Sequence, residues 1–219
     1  MSAHPKVDPK SGELCVFGYN MMNITRPGSF LDMSGKGCVH FSVFDKSRKL
    51  LSALDIPLTS PRMIHDFGMT ENYVIIPDLP LEFSILNSIF KGHFVFNFDK
   101  NQKSRYGIMK KYNKDVQKIK WFDLPTHWAF HYVNAWEEKD EEGRDIIVFW
   151  GCTMDDVCLD FHQEHPFYGE NRISLTKMTF NLYTGNSTFQ KYENGSSFDF
   201  PIVPSDMVGR RTQFCYLSQ

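Results

Sequence analysis

No stretch of this 219-residue sequence stays apolar for the roughly 18 residues a spanning helix needs, so no segment reads as crossing a bilayer. Cysteine is sparse and odd in number. Cys15, Cys38, Cys152, Cys158 and Cys215 form no CxxC and no zinc spacing. Such a set reads as reduced, packed thiols and favours the cytoplasm or a plastid over secretion. The N-terminus shows neither an apolar signal core nor an Arg/Ser-rich transit stretch. A dominant charge is lacking too. The net charge of −2 and pI near 6.4 exclude a globally basic nucleic-acid binder. GxSxG, P-loop and GxGxxG patterns are absent, which removes support for the hydrolase elbow, the NTPase and the Rossmann fold. Sustained helical periodicity is missing as well.

What the sequence does have is aromatic and strand-forming. Aromatics make up 15%, with 20 Phe and 9 Tyr, a bias that favours strands. Short strand candidates include Leu14 to Tyr19, Val39 to Asp45, Val74 to Pro77, Phe94 to Phe98, Ser104 to Ile108 and Lys120 to Asp123. Ala129 to Ala135, Ile146 to Gly151, Ser174 to Asn181 and Gln213 to Leu217 complete the set. Turn formers such as Ser34-Gly35-Lys36-Gly37 and Tyr183-Thr184-Gly185-Asn186 separate them. Many short strands at this spacing indicate an all-β sandwich, barrel or propeller, and no linker divides the chain. Only Leu81 to Lys91 carries apolar residues at i, i+3 and i+4, as a short amphipathic helix or an irregular apolar loop. Two charge runs stand out. Lys100 to Lys120 holds eight Lys/Arg against one Asp, and Glu137 to Asp145 holds six acids. They read as solvated loops, with weak attraction of the basic run to an anionic membrane as the sharper alternative.

Three of the eight histidines, His4, His65 and His131, stand in unusual settings, and the latter two are flanked by bulky apolar residues. Their separations of 61 and 66 residues exclude a helical HExxH pair or a zinc knuckle. Wide, near-equal spacing suits ligands supplied one per repeat unit to a common centre. A hydrogen-bonded core histidine at each position is the competing reading, and spacing alone favours it. His40, His93, His127, His162 and His165 read as loop or surface residues, with His162 and His165 a candidate local metal pair.

The motifs around the three histidines are specific. Ala3-His4-Pro5-Lys6-Val7-Asp8-Pro9, His65-Asp66-Phe67-Gly68-Met69-Thr70-Glu71-Asn72-Tyr73 and Asn134-Ala135-Trp136-Glu137-Glu138 resemble those of the carotenoid cleavage oxygenases. Arg105-Tyr106-Gly107-Ile108, Asp199-Phe200-Pro201 and Val208-Gly209-Arg210-Arg211-Thr212 extend the likeness over nearly the whole chain, in the family's order. The plant-type branch, which includes the 9-cis-epoxycarotenoid dioxygenases, is the most similar.

The resemblance implies a seven-bladed β-propeller with Fe(2+) on its axis, held by four histidines. His4, His65 and His131 occupy three of those positions, and the fourth falls beyond Gln219. Residues 1–219 are therefore expected to be a partial propeller domain, an internal fragment inactive alone. Asp199 is expected to hold the second ring N–H of His131. Glu71 and Glu137 are expected to be structural hydrogen-bonders. Phe83, Ile85, Leu86, Ile89 and Phe90 would dip into a membrane surface to collect lipophilic substrate. The implied reaction adds O2 across one double bond of a carotenoid or apocarotenoid and gives two carbonyl products, with 9,10 (9′,10′) scission favoured. A retinoid isomerohydrolase-like enzyme and an inactive binding protein are the alternatives.

Overall fold

The structure, a computed structural model, describes residues 3–20, 37–83, 95–157, 172–192 and 195–219. Strands β1 (Lys6–Val7), β2 (Leu14–Asn20), β3 (Cys38–Phe44) and β4 (Leu50–Pro57) form an antiparallel up-and-down sheet in chain order. Then come β5 (Gly68–Met69), β6 (Tyr73–Asp78), β7 (Leu81–Phe83), β8 (Phe96–Phe98), β9 (Ser104–Lys110) and β10 (Lys120–Leu124). Of these, β5, β6, β9 and β10 make the second four-stranded sheet, and β7 pairs with β8 as an inserted ribbon. The third sheet is β11 (Trp128–Lys139), β12 (Asp145–Met154), β13 (Ser174–Asn181) and β14 (Ser187–Tyr192), again in chain order. A short ribbon of β15 (Asp199–Ile202) and β16 (Tyr216–Ser218) follows. The all-β expectation holds. Among the described residues the only helices are two single 3-10 turns, Val116–Lys118 and Ser205–Met207.

Side-chain alternation explains how the sheets stack. In β3, Val39, Phe41 and Val43 are buried while His40 faces solvent, the period-2 pattern of a half-buried strand. Strand β6 is buried at every position, because its two faces feed two different cores. Val74 and Ile76 pack with Phe17, Phe41 and Ile56 of the first sheet. Tyr73 and Ile75 pack with Trp128, Phe149 and Phe180 of the third. The second sheet is thus the filling between its neighbours. Gly68 lets β5 fit there, since a Cβ would lie 2.6 Å from Ile75 and 2.7 Å from the Phe149 ring.

Two expectations change. Leu81–Phe83 is extended, not helical, because β8 offers a ladder partner in the register Leu81↔Phe98 and Phe83↔Phe96. The Phe83 and Phe96 rings pack 5.5 Å apart. The remainder of that apolar stretch, including Ile85, Leu86, Ile89 and Phe90, lies outside the described residues. The basic run is also not wholly solvated. Lys111 is buried against Asp8 at 2.8 Å, and Arg105 pairs with the buried Asp78 at 2.7 Å. Against the upward push of its own burial, hydrogen bonds from Lys111 and the Lys10 backbone hold Asp8 well below the usual carboxylate range. Arg210 reaches the same carboxylate at 3.1 Å, tying the C-terminal segment to the first sheet. The four described cysteines are free thiols, and Cys158 lies outside the described residues.

Candidate metal centre

Each of the three sheets brings one histidine to the same place by way of its first strand. His4 precedes β1, His65 precedes β5, and His131 lies within β11. One ring nitrogen from each falls within 4.8 Å of the others. The Nε2 atoms of His4 and His65 are 3.1 Å apart, and the ring centroids lie 4.9 to 5.1 Å apart in edge-on arrangements. Three imidazoles in such mutual contact form a poor hydrogen-bonded cluster but a good set of nitrogen donors.

The electrostatics favour the neutral form of His4 and His65. Burial lowers the pKa of His4, opposed by the nearby Asp66 and reinforced by His131. Burial, then His131 and His4, lowers that of His65. His131 is oriented from behind. Its Nδ1–H donates to Asp199 Oδ1 at 2.8 Å, and Asp199 comes from β15, outside the three large sheets. That bond leaves Nε2 as the lone-pair nitrogen, the tautomer a metal needs. The rings of Phe130 and Phe200 stand 5.6 Å from His65 and 4.8 Å from His131. A cavity of about 860 Å3 opens beside the cluster, reaching His4, His131, Phe200 and Ile202.

Other motif residues build the scaffold. Glu137 accepts from Thr70 Oγ1 at 2.6 Å, from the Asn72 amide N–H at 2.7 Å and from Asn72 Nδ2 at 3.0 Å, so it ties β11 to the turn after β5. Glu71 meets only Lys10 at the surface, at 3.1 Å, among the described residues. Asn134 donates to the carbonyls of Met207 and Arg210 and accepts from the Gly209 N–H, all within 2.9 Å. Gly209 sits at φ +76° with Thr70 backbone 3.3 Å from where a Cβ would be, so no other residue fits there without strain.

His127 is misread by the sequence as a loop or surface residue. It is fully buried. Its Nδ1–H donates to the Pro125 carbonyl at 2.7 Å, and its Nε2 accepts from Tyr106 Oη at 2.7 Å. The only signal was its place between two apolar segments. His40 is exposed as expected and pairs with Asp55 at 2.6 Å. Cys38 lies beside that pair, but His40 and Asp55 already satisfy each other in contact with water. Phe83 is half-buried on β7. His93, His162 and His165 lie outside the described residues.

The whole of residues 1–219 matches the family model described as RPE65, retinal pigment epithelial membrane protein. A carotenoid 9,10(9',10')-cleavage dioxygenase 1 from Pisum sativum is 36% identical, over 98% of this chain and 37% of its own length. The chloroplastic 9-cis-epoxycarotenoid dioxygenase NCED6 of Arabidopsis thaliana is 31% identical, over 99% of this chain and 35% of its own. The chain thus spans little more than a third of the length of these relatives. Among solved structures, cobalt-substituted Synechocystis ACO superposes with a TM-score of 0.78 at 19% identity, over 99% of this chain and 43% of that one, which shows a shared fold.

Proposed function

This chain belongs to the retinal pigment epithelial membrane protein (RPE65) family, the carotenoid cleavage oxygenases, and from that membership we propose that it forms the three-histidine part of an iron-dependent dioxygenase. The proposed reaction cleaves one double bond of a carotenoid or apocarotenoid with O2 to give two carbonyl products, at the 9,10 (9′,10′) position. The observation that carries this reading is the meeting of His4, His65 and His131 from three sheets, with Asp199 behind His131.

The donor set fits a divalent transition metal. Neutral imidazole suits Fe(2+), and the rings are already turned toward one another. His4, His65 and His131 would hold it, with a fourth imidazole from chain outside residues 1–219, which form one partial propeller domain. When bound, iron supplies the activation of dioxygen. The chain's own residues orient. Asp199 keeps the proton on His131 Nδ1, so that Nε2 stays a donor to the metal. Phe130 and Phe200 give the imidazoles an apolar border, against which a polyene can lie. Phe83, with Ile85, Leu86, Ile89 and Phe90, is proposed to meet the membrane in which such a substrate dissolves. Liposome flotation should weaken for a Phe83→Ser/Phe90→Ser variant, and unchanged binding removes that role. The compartment proposed is the cytoplasm or a plastid.

The test is product analysis in labelled dioxygen, using the protein that carries this chain and an apocarotenoid substrate. Label in both carbonyl products supports the dioxygenase. Products without label, from an enzyme that retains iron, replace it with an isomerohydrolase-like reaction.

A further inference from the structure

The three histidines stand on three separate segments, and one buried carboxylate touches all three segments. Asp66 follows His65 directly and is 3% exposed. Its Oδ1 accepts from the Phe67 N–H at 2.8 Å and pairs with Lys6 Nζ at 2.8 Å, two residues beyond His4. Its Oδ2 accepts from the Tyr132 N–H at 2.9 Å, one residue beyond His131.

The bond to Tyr132 falls where β11 breaks register with β12. The pairing shifts between Ala129 and Tyr132 and again between Tyr132 and Asn134, so His131 sits inside a bulged stretch. A bulge re-aims a side chain at the cost of a disrupted ladder, and a buried N–H without a partner is costly. Asp66 takes up the displaced Tyr132 N–H. Without that acceptor, the regular ladder becomes the better place for Tyr132, and a one-residue slip turns the neighbouring side chains to the other face.

We propose that Asp66 is a positioning residue for the metal site. Its carboxylate fastens both the His4 segment, through Lys6, and the bulge that aims His131 to the backbone beside His65. It is not among the converging ligand atoms and acts only through them. The three imidazoles are thereby held in place before a metal arrives, which lowers the ordering cost of binding. An amide in place of the carboxylate loses the charge that pairs with Lys6 and keeps one acceptor oxygen, so its N–H2 faces either Lys6 or the Tyr132 N–H, where an acceptor is needed.

This inference rests on the metal-site reading, and the experiment separates the two. Co2+ is titrated into the metal-free protein that carries this chain and followed by its visible d–d absorption, with folding checked by far-UV circular dichroism. Asp66→Asn should weaken Co2+ binding by about tenfold or more and alter the band shape. Lys6→Met, which cuts only the His4 arm, should weaken it by a smaller factor, and Asp66→Glu should recover part of the loss. Tyr106→Phe loosens the neighbouring core and removes a partner of the Tyr132 hydroxyl, but leaves the Tyr132 N–H and the other clamp contacts of Asp66 in place, and should leave Co2+ affinity and spectrum unchanged. Wild-type affinity and bands in Asp66→Asn, or a loss no greater than in Tyr106→Phe, overturn the proposal. If Asp66→Asn does not fold, Lys6→Met decides, and wild-type affinity there overturns it. Unchanged Co2+ binding in His65→Ala instead overturns the metal-site reading itself.

Discussion

His127 and His131 stand four residues apart at the start of one strand, both are buried, and they do opposite things. At His127 both ring nitrogens are spoken for. Nδ1–H donates to Pro125, and Nε2 accepts from Tyr106, whose oxygen in turn lies 3.2 Å from Tyr132 Oη. Burial pushes its pKa down to about 4. At His131 only Nδ1 is fixed, by a carboxylate from a different sheet, and the ring stands edge-on to two other imidazoles. Burial alone therefore does not tell a core histidine from a candidate ligand. What tells them apart is whether the second nitrogen finds a proton partner or like donors.

The largest effect that could break this contrast is loss of metal. His131→Ala or His65→Ala should abolish tight binding of a divalent metal, measured by stoichiometry after desalting. His127→Gln should leave the stoichiometry intact. Equal loss in both would erase the distinction. Next comes pH. The folded pKa of His127 lies below its unfolded value of about 6.5, so the unfolded state takes up the proton first. Its contribution is full above pH 6.5 and is lost as pH falls toward 4, amounting to about 3 kcal/mol. His4 and His65 shift in the same direction, so the difference between wild type and His127→Gln isolates the share of His127. Urea melts from pH 7 to pH 4.5 should give a shallower pH slope for the variant.

The fold was legible where the strand pattern is local. Ser174–Asn181 alternates buried and half-buried residues as its sequence suggests. Leu50–Pro57 and Ser187–Tyr192 escaped, because an outer strand of a sheet buries little: Leu50–Pro57 exposes apolar residues, and Ser187–Tyr192 has no buried residue at all. Leu81–Phe83 was ambiguous because ladder partners 13 to 17 residues away override helical spacing. The meeting of the three histidines, with Asp199 beside His131, was legible through family motifs. The site was not legible for Asp66, whose partners Lys6 and Tyr132 are brought near only by the stacking of three sheets. His127 failed for a related reason, since its donor Tyr106 lies on another sheet.

A smaller effect should follow from releasing His131 at its back. Asp199→Ala removes the acceptor for Nδ1–H and frees the ring to turn or to change tautomer. Metal affinity should fall by about 10–100-fold, the usual cost of removing such a partner. The folding midpoint should move little, because Asp199 opens a two-stranded ribbon at the surface. A large drop in stability with unchanged metal affinity would show that Asp199 serves the ribbon and not the imidazole.

The smallest effect belongs to the sealed histidine's own donor. Tyr106→Phe removes one hydroxyl from the chain that runs through Tyr132, Tyr106, His127 and Pro125, and keeps the ring. His127 Nε2 and the Tyr132 hydroxyl then face each other across the gap, each without its former partner. Leaving a buried acceptor unpaired costs about 1–3 kcal/mol, and the ring contacts of Tyr106 with Phe149 and Phe180, at 5.9 and 5.7 Å, are kept. Urea denaturation at pH 7 should show a loss in that range with metal binding unaltered. A loss near zero would mean that Tyr132 swings over to donate to His127 directly, and the double variant Tyr106→Phe/Tyr132→Phe would then restore the missing cost. Either result locates the proton partner of His127 inside the core, away from the cluster of His4, His65 and His131.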